Sequence, residues 1–221
     1  MTLASCDSRK TAGENPFFTE WDTPHGVPPF DKILPEHFMP AFERGMSLHE
    51  AEIDAITSNK DEATFENTIL AYDNAGQMLA QTELVFGMLC AAETNDRMQA
   101  LQEQAMPLLA AHRDKIRLDD KLFVRVKEVY DRRAALGLDA EQMRLLQKTY
   151  DSFVRAGALL DAEQKARLKE INGQLSLTAV KFGNNILAEN NNFVLELKSD
   201  ELDGLPAGIR DAAREKAQQM G

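Results

Sequence analysis

The distribution of proline constrains this chain more than any other feature. Of eight prolines, six fall at or before residue 40 (Pro16, Pro24, Pro28, Pro29, Pro35 and Pro40), and only Pro107 and Pro206 follow. Proline fixes φ and lacks a backbone donor, so the front of the chain is excluded from regular helix and from a central strand. The remainder of the 221 residues is free to form long helices, and a chain of this length hides roughly 70% of its unfolded surface, enough for a real core.

Apolar residues recur at helical spacing through that remainder. Residues 35–57 carry Phe38, Phe42 and Ile53, with Pro35 suited to a first turn. Residues 64–92 read as one run, in which Phe65, Tyr72, Leu79 and Phe86 recur every seven residues, a pattern for long antiparallel packing. Residues 95–117 form a third run with Pro107 inside it, which predicts a kink or break one turn earlier. Residues 119–136 form a fourth, closed by Gly137. Asp139 with Gln142, and Asp161 with Gln164, are two capping signatures. The first opens the stripe Met143, Leu146, Tyr150, Phe153, Gly157 and Leu160. The second opens Leu168, Ile171, Leu175, Phe182 and Ile186, running to about residue 190. Asn190-Asn191-Asn192 breaks the pattern. Residues 193–197 then read as a short strand for which the chain supplies no second strand, leaving either a partner from elsewhere or a merely extended segment. A last helix, residues 207–219, follows Leu205-Pro206. The expected fold class is all-α, an antiparallel helical bundle or array with at most one short strand. Its divisions are a terminal tether (1–14), an extended docked segment carrying Phe17, Phe18, Trp21 and Phe30 (15–34), a helical domain (35–190), and a strand with the start of a helical connection (191–221).

Charge and composition narrow the functions. Asp and Glu number 36 against 25 Lys and Arg, a net charge of -11, which disfavours phosphate backbones and acidic membranes. No partner of nucleic-acid type is expected. The longest uncharged run, residues 171–180, is half the length a membrane-spanning helix needs, so no transmembrane segment is expected. Two cysteines cannot build a disulfide framework. Leu3-Ala4-Ser5-Cys6-Asp7 resembles a bacterial lipobox, making Cys6 a candidate lipidation site. Only Met1 and Thr2 precede it, so the tract is either the remnant of a trimmed or mis-started signal or a terminus with an idle cysteine. The first alternative points to the bacterial cell envelope or periplasm, the second leaves the cytoplasm.

Chemistry is harder to find. His49-Glu50-Ala51-Glu52-Ile53 is the nearest approach to a zinc-binding His-Glu-x-x-His helix, but Ile53 stands where the second imidazole belongs, and a solvated helix face is the simpler reading. His112, beside Arg113, reads as exposed, His37 as a helix-start residue and Cys90 as a buried core cysteine. Phosphate-cradling glycine loops, dinucleotide fingerprints and Gly-x-Ser-x-Gly elbows do not occur. No catalytic residue and no metal ligand is assigned.

Words in a fixed order carry more. Asn15-Pro16-Phe17-Phe18, Val27-Pro28-Pro29-Phe30-Asp31-Lys32-Ile33, Pro35-Glu36-His37-Phe38-Met39-Pro40-Ala41-Phe42 and Thr64-Phe65-Glu66-Asn67-Thr68-Ile69 are followed by Phe153-Val154-Arg155-Ala156-Gly157-Ala158, Asn184-Asn185-Ile186-Leu187 and Leu202-Asp203-Gly204-Leu205-Pro206. This ordered set resembles the N-terminal region of the thimet-oligopeptidase family of zinc metallopeptidases, and within it most resembles the bacterial peptidyl-dipeptidases and oligopeptidase A. The resemblance implies a longer parent that hydrolyses short peptides, with zinc and the catalytic residues in a C-terminal domain that this chain lacks. It implies that these helices wall one side of a deep channel and are inactive alone. The competing expectation is a stand-alone helical peptide-binding or interaction module, a lipoprotein without catalysis. A metal-binding bundle is disfavoured by the histidine spacing.

Overall fold

The computed structural model describes residues 15–220, so the Cys6 tract lies outside the described residues. The segment ahead of the first helix is held by local polar contacts and by aromatics. The Asn15 side chain accepts from the Phe17 amide at 3.1 Å and its Nδ2 donates to the His37 carbonyl at 2.8 Å. Trp21 Nε1 donates to the Pro16 carbonyl at 2.8 Å. Phe17 is buried, 5.4 Å from the Phe38 ring, and Arg44 lies over the face of Phe18. Phe30, expected among the docked aromatics, is instead exposed.

Helices α1 (Phe38–Ser58), α2 (Ala71–Asp73), α3 (Gln77–Ala92), α4 (Asp96–Arg117), α5 (Asp120–Asp131), α6 (Ala140–Arg155), α7 (Ala162–Asn192) and α8 (Ala207–Met220) follow, joined by short turns. No strand occurs among the described residues. The ends form where side chains satisfy the orphan amides of a first turn. Asn95 accepts from the Arg97 and Met98 amides, Asp119 from Leu122, Asp139 from Gln142 and Asp161 from Gln164. The last two are reciprocal, since Gln142 and Gln164 accept in turn from the Asp139 and Asp161 amides.

Two hydrophobic clusters lie within residues 1–182. One gathers Phe17, Phe38, Phe42, Leu79, Val85, Phe86, Met98 and Leu109. The other gathers Ile53, Ile56, Phe65, Ile69, Ile116, Leu122, Val126, Leu146 and Phe153. Helices α1 and α4 contribute to both, each through a different stretch of its length. The expected continuous run over 64–92 is broken. A π-turn (Phe65–Leu70), α2 and a turn through Gly76 at φ +76° precede α3. A left-handed backbone position cannot continue a helix. The seven-residue repeat is therefore divided: Phe65 and Tyr72 belong to the second cluster, Leu79 and Phe86 to the first. Of the kink or break predicted at Pro107, the break does not occur, and α4 runs through it from Asp96 to Arg117.

The largest departure concerns α7. Its inner contacts are partly polar. Lys165 is buried, pairs with Asp120 and donates to the Leu118 carbonyl, and Asn172 Nδ2 donates to Asp114 at 2.9 Å. Of the predicted stripe, Leu168 is half-buried and packs at Gly157, but the rest faces outward: Ile171 is 42% exposed, Leu175 62% and Phe182 65%. Residues 183–221 form a separate compact unit containing the end of α7 and α8. In it Ile186, Phe193, Val194, Leu195 and Ile209 are exposed. Residues 193–198 are irregular, without the ladder partner that a strand requires.

Candidate functional site

A cluster of titratable side chains in close contact lies where α1 and α4 meet, between the two hydrophobic clusters. His49 on α1 and His112 on α4 are 63 positions apart in sequence. His112 Nε2 and His49 Nδ1 are 3.0 Å apart and the rings 5.0 Å between centroids. Both run against expectation. His112 is buried at 6% exposure, and His49 is half-buried on a helix face expected to be solvated. The signal was present in their spacing. His49 follows Phe42 by seven and precedes Ile53 by four; His112 follows Leu109 by three and precedes Ile116 by four. Each histidine thus occupies a stripe position whose neighbours are core residues.

Acidic and basic groups surround the pair unevenly. Glu50 Oε1 lies 3.5 Å from His112 Nδ1, a long contact outside hydrogen-bond geometry that leaves this buried nitrogen with an electrostatic partner only. The other oxygen of Glu50 pairs with Lys115 at 2.7 Å, and this contact first of all holds the Glu50 carboxyl below its usual range. Glu52 accepts from the Gly76 amide at 2.7 Å, capping the start of α3. Gly76 packs on the His49 ring so tightly that a Cβ there would sit 2.9 Å from Nδ1. Burial, first of all, pushes both histidines below the ordinary imidazole value. The neighbouring His112 adds to this at His49, while Glu50, Glu52 and Glu83 oppose it. Both shifts favour neutral imidazoles near pH 7, each carrying one ring proton. The Glu50 carboxylate favours the His112 proton on Nδ1, which makes His112 Nε2 the acceptor of the separate His49 Nδ1–H.

Neutral, paired imidazoles serve cohesion better than catalysis. No nucleophile adjoins them: Cys90 is only half-buried, not fully as expected, and burial raises its thiol pKa. His37 takes the helix-start role expected of it, its Nδ1 accepting from the Leu34 amide at 3.1 Å. A catalytic zinc needs three protein ligands and an open position. Among the described residues no three His, Cys, Asp or Glu side chains converge to hold a metal, and the His49–His112 contact supplies two nitrogens that already bond one another. The residues present do not fit zinc. An open hollow of about 450 Å³, lined by Glu52, Ala55, Ile56, Asn67, Ala71 and Asn74, is largely apolar, and the Glu52 carboxylate on its wall already accepts from the Gly76 amide. No helix among the described residues is long and apolar enough to cross a membrane.

A second polar centre fixes the loop after α1. Arg125 on α5 is buried, and its Nη1 donates to the Asn59 and Asp61 carbonyls and its Nη2 to Asn67 Oδ1, each at 3.1 Å. Asn67 also completes a reciprocal cap with Thr64. These contacts hold the loop after α1 against α5.

Comparison with known proteins supplies what the geometry does not. No family model matches the chain. The dipeptidyl carboxypeptidase of Escherichia coli strain K12 is 39% identical over 207 residues, covering 91% of this chain and 30% of that protein. Oligopeptidase A of the same organism is 24% identical over 197 residues, covering 89% of this chain and 29% of that protein. A thimet-like oligopeptidase of Dictyostelium discoideum is 24% identical over 175 residues. The chain thus spans between 25% and 30% of the length of these relatives. With an all-helical fold, an ordered set of sequence words and peptidase relatives covering nine-tenths of its length, the chain belongs to the thimet-oligopeptidase family.

Proposed function

We propose that this chain is the non-catalytic helical frame of a longer zinc-dependent peptidase acting on short peptides, similar to a dipeptidyl carboxypeptidase. The observation that carries the reading is the 39% identity to the Escherichia coli dipeptidyl carboxypeptidase across nearly the whole chain. The side-chain chemistry supports it. Helices tied together by buried Arg125, Lys165 and a neutral histidine pair, with no converging ligand set among the described residues, suit a wall that shapes access to a site. In this reading the zinc polarises the peptide carbonyl and is held by residues of the parent outside this chain. The helices here limit what reaches it to short, unfolded peptides.

The test is to isolate the native protein from its source cells with an antibody against this chain. Its size is read first, then its action on N-acetylated peptides with free or amidated C-termini. The expected result is a band well above 24.7 kDa. Dipeptides are released only from free C-termini, the activity is abolished by a chelator and restored by zinc, and the isolated 221-residue chain is inactive. Internal cleavage of amidated peptides would move the protein to the oligopeptidase side. A 24.7 kDa protein without hydrolysis would sink the reading in favour of an interaction module. An envelope location rests on the Cys6 tract, and loss of radiolabelled palmitate on Cys6→Ser is its check.

A further inference from the structure

Helix α7 carries its apolar seam on the outside. Ile171, Leu175, Thr178 and Phe182 follow one another at spacings of four, three and four, the alternation that lines one side of a helix for a single partner helix. They span about 16 Å. Ile171, Leu175 and Phe182 are all exposed, while the same helix turns Lys165 and Asn172 inward, where they bond Asp120 and Asp114. An ordinary surface helix does the reverse. The longest uncharged run of the chain, residues 171–180, falls on this stretch, and depletion of charge is the compositional mark of an interface centre.

We infer that the Ile171–Leu175–Phe182 seam is the docking site of an amphipathic helix belonging to the further polypeptide of the longer protein. The inference rests on the reading of this chain as part of such a protein. The occupant follows from two observations. The relatives carry more than twice as much additional chain as the part matched here, so further polypeptide is available to cover the seam. A net charge of -11 on each chain opposes a second copy. The partner helix presents aliphatic or aromatic side chains at matching three- and four-residue spacing, with its charges to either side of the seam.

Photo-cross-linking in the native-length protein tests this, with benzoylphenylalanine placed in turn at Leu175, at Phe182 and, as a control to one side of the seam, at Lys181. Gel mass reports on the parent reading, and mass spectrometry of the cross-linked peptides reports on the docking site. The expected outcome is a heavy band in which Leu175 and Phe182 cross-link within the same polypeptide to a helix outside residues 1–221, with cross-linking lost at Lys181. A heavy band whose seam positions link to a second copy, or to nothing, overturns the docking site and leaves the parent reading standing. A band at 24.7 kDa removes both.

Discussion

Helices α6 and α7 start alike and end up opposite. Each opens with Asp-Ala-Glu-Gln, each has a reciprocal cap, and each carries a large apolar stripe. In α6 the stripe goes in: Leu146 and Phe153 are fully buried, and Phe153 lies 5.2 Å from Tyr72 and 6.1 Å from Phe123. In α7 Ile171, Leu175 and Phe182 stay out, while Val180 and the polar anchors Lys165 and Asn172 make the inner contacts. The difference teaches that periodicity specifies a helix with two faces but does not say which neighbour each face will find. Helix α6 meets α5 and the π-turn within this chain. Within residues 15–182 the outer face of α7 meets no such neighbour.

Substitutions sharpen the contrast. The largest effect is expected at Phe153→Ala, where removing a fully buried ring costs about 3–5 kcal/mol in urea unfolding. A loss below about 1 kcal/mol would mean that the α6 seam is as idle as that of α7. Next comes Arg125→Ala, which strands the Asn59 and Asp61 carbonyls, removes one of the bonds to Asn67 Oδ1, and costs about 2–3 kcal/mol by the same measurement. Gly76→Ala follows at about 1–2 kcal/mol, because φ is +76° and the new methyl meets the His49 ring. A stability equal to the parent's would show that α1 and α3 can separate freely there.

A smaller effect is expected from pH. Burial lowers the folded-state pKa of His49 and His112, with His112 adding to it at His49 and Lys115 at His112, so the unfolded chain binds more protons. The pair's contribution to stability is complete above the unfolded value of about 6.5 and is lost as pH falls from there towards the folded values. Melting temperatures between pH 7.5 and 5 should decline, and the His112→Gln variant should decline less. Parallel curves would assign the pH dependence to carboxylates instead. The smallest effect is expected at Leu175→Ser, which should change the stability of this chain by no more than about 0.5 kcal/mol, as for a surface site. In the native-length protein the same substitution should cost more. Equal small losses in both would leave the outward seam without an occupant.

Much of the architecture was legible because its signals are local. A cap is a contact between residues three apart, and Asp139 with Gln142 and Asp161 with Gln164 formed as their spacing required. Helix existence followed from apolar period and from the near absence of proline after residue 40. The site was less legible. Stripe position marked His49 and His112 as candidates for burial, but residue type suggested solvent, and the contact that satisfies them lies across 63 positions of chain.

The sequence by itself determined helix type, helix starts and family membership, since these depend on neighbours in the chain or on residue order. Only the tertiary structure decided that the heptad from Phe65 to Phe86 divides at Gly76, that α4 passes through Pro107 unbroken, that two histidines 63 positions apart meet at 3.0 Å, and that α7 turns its apolar seam outward. Burial is a property of what lies opposite a side chain, and what lies opposite is set by non-local packing that no window of neighbouring residues contains.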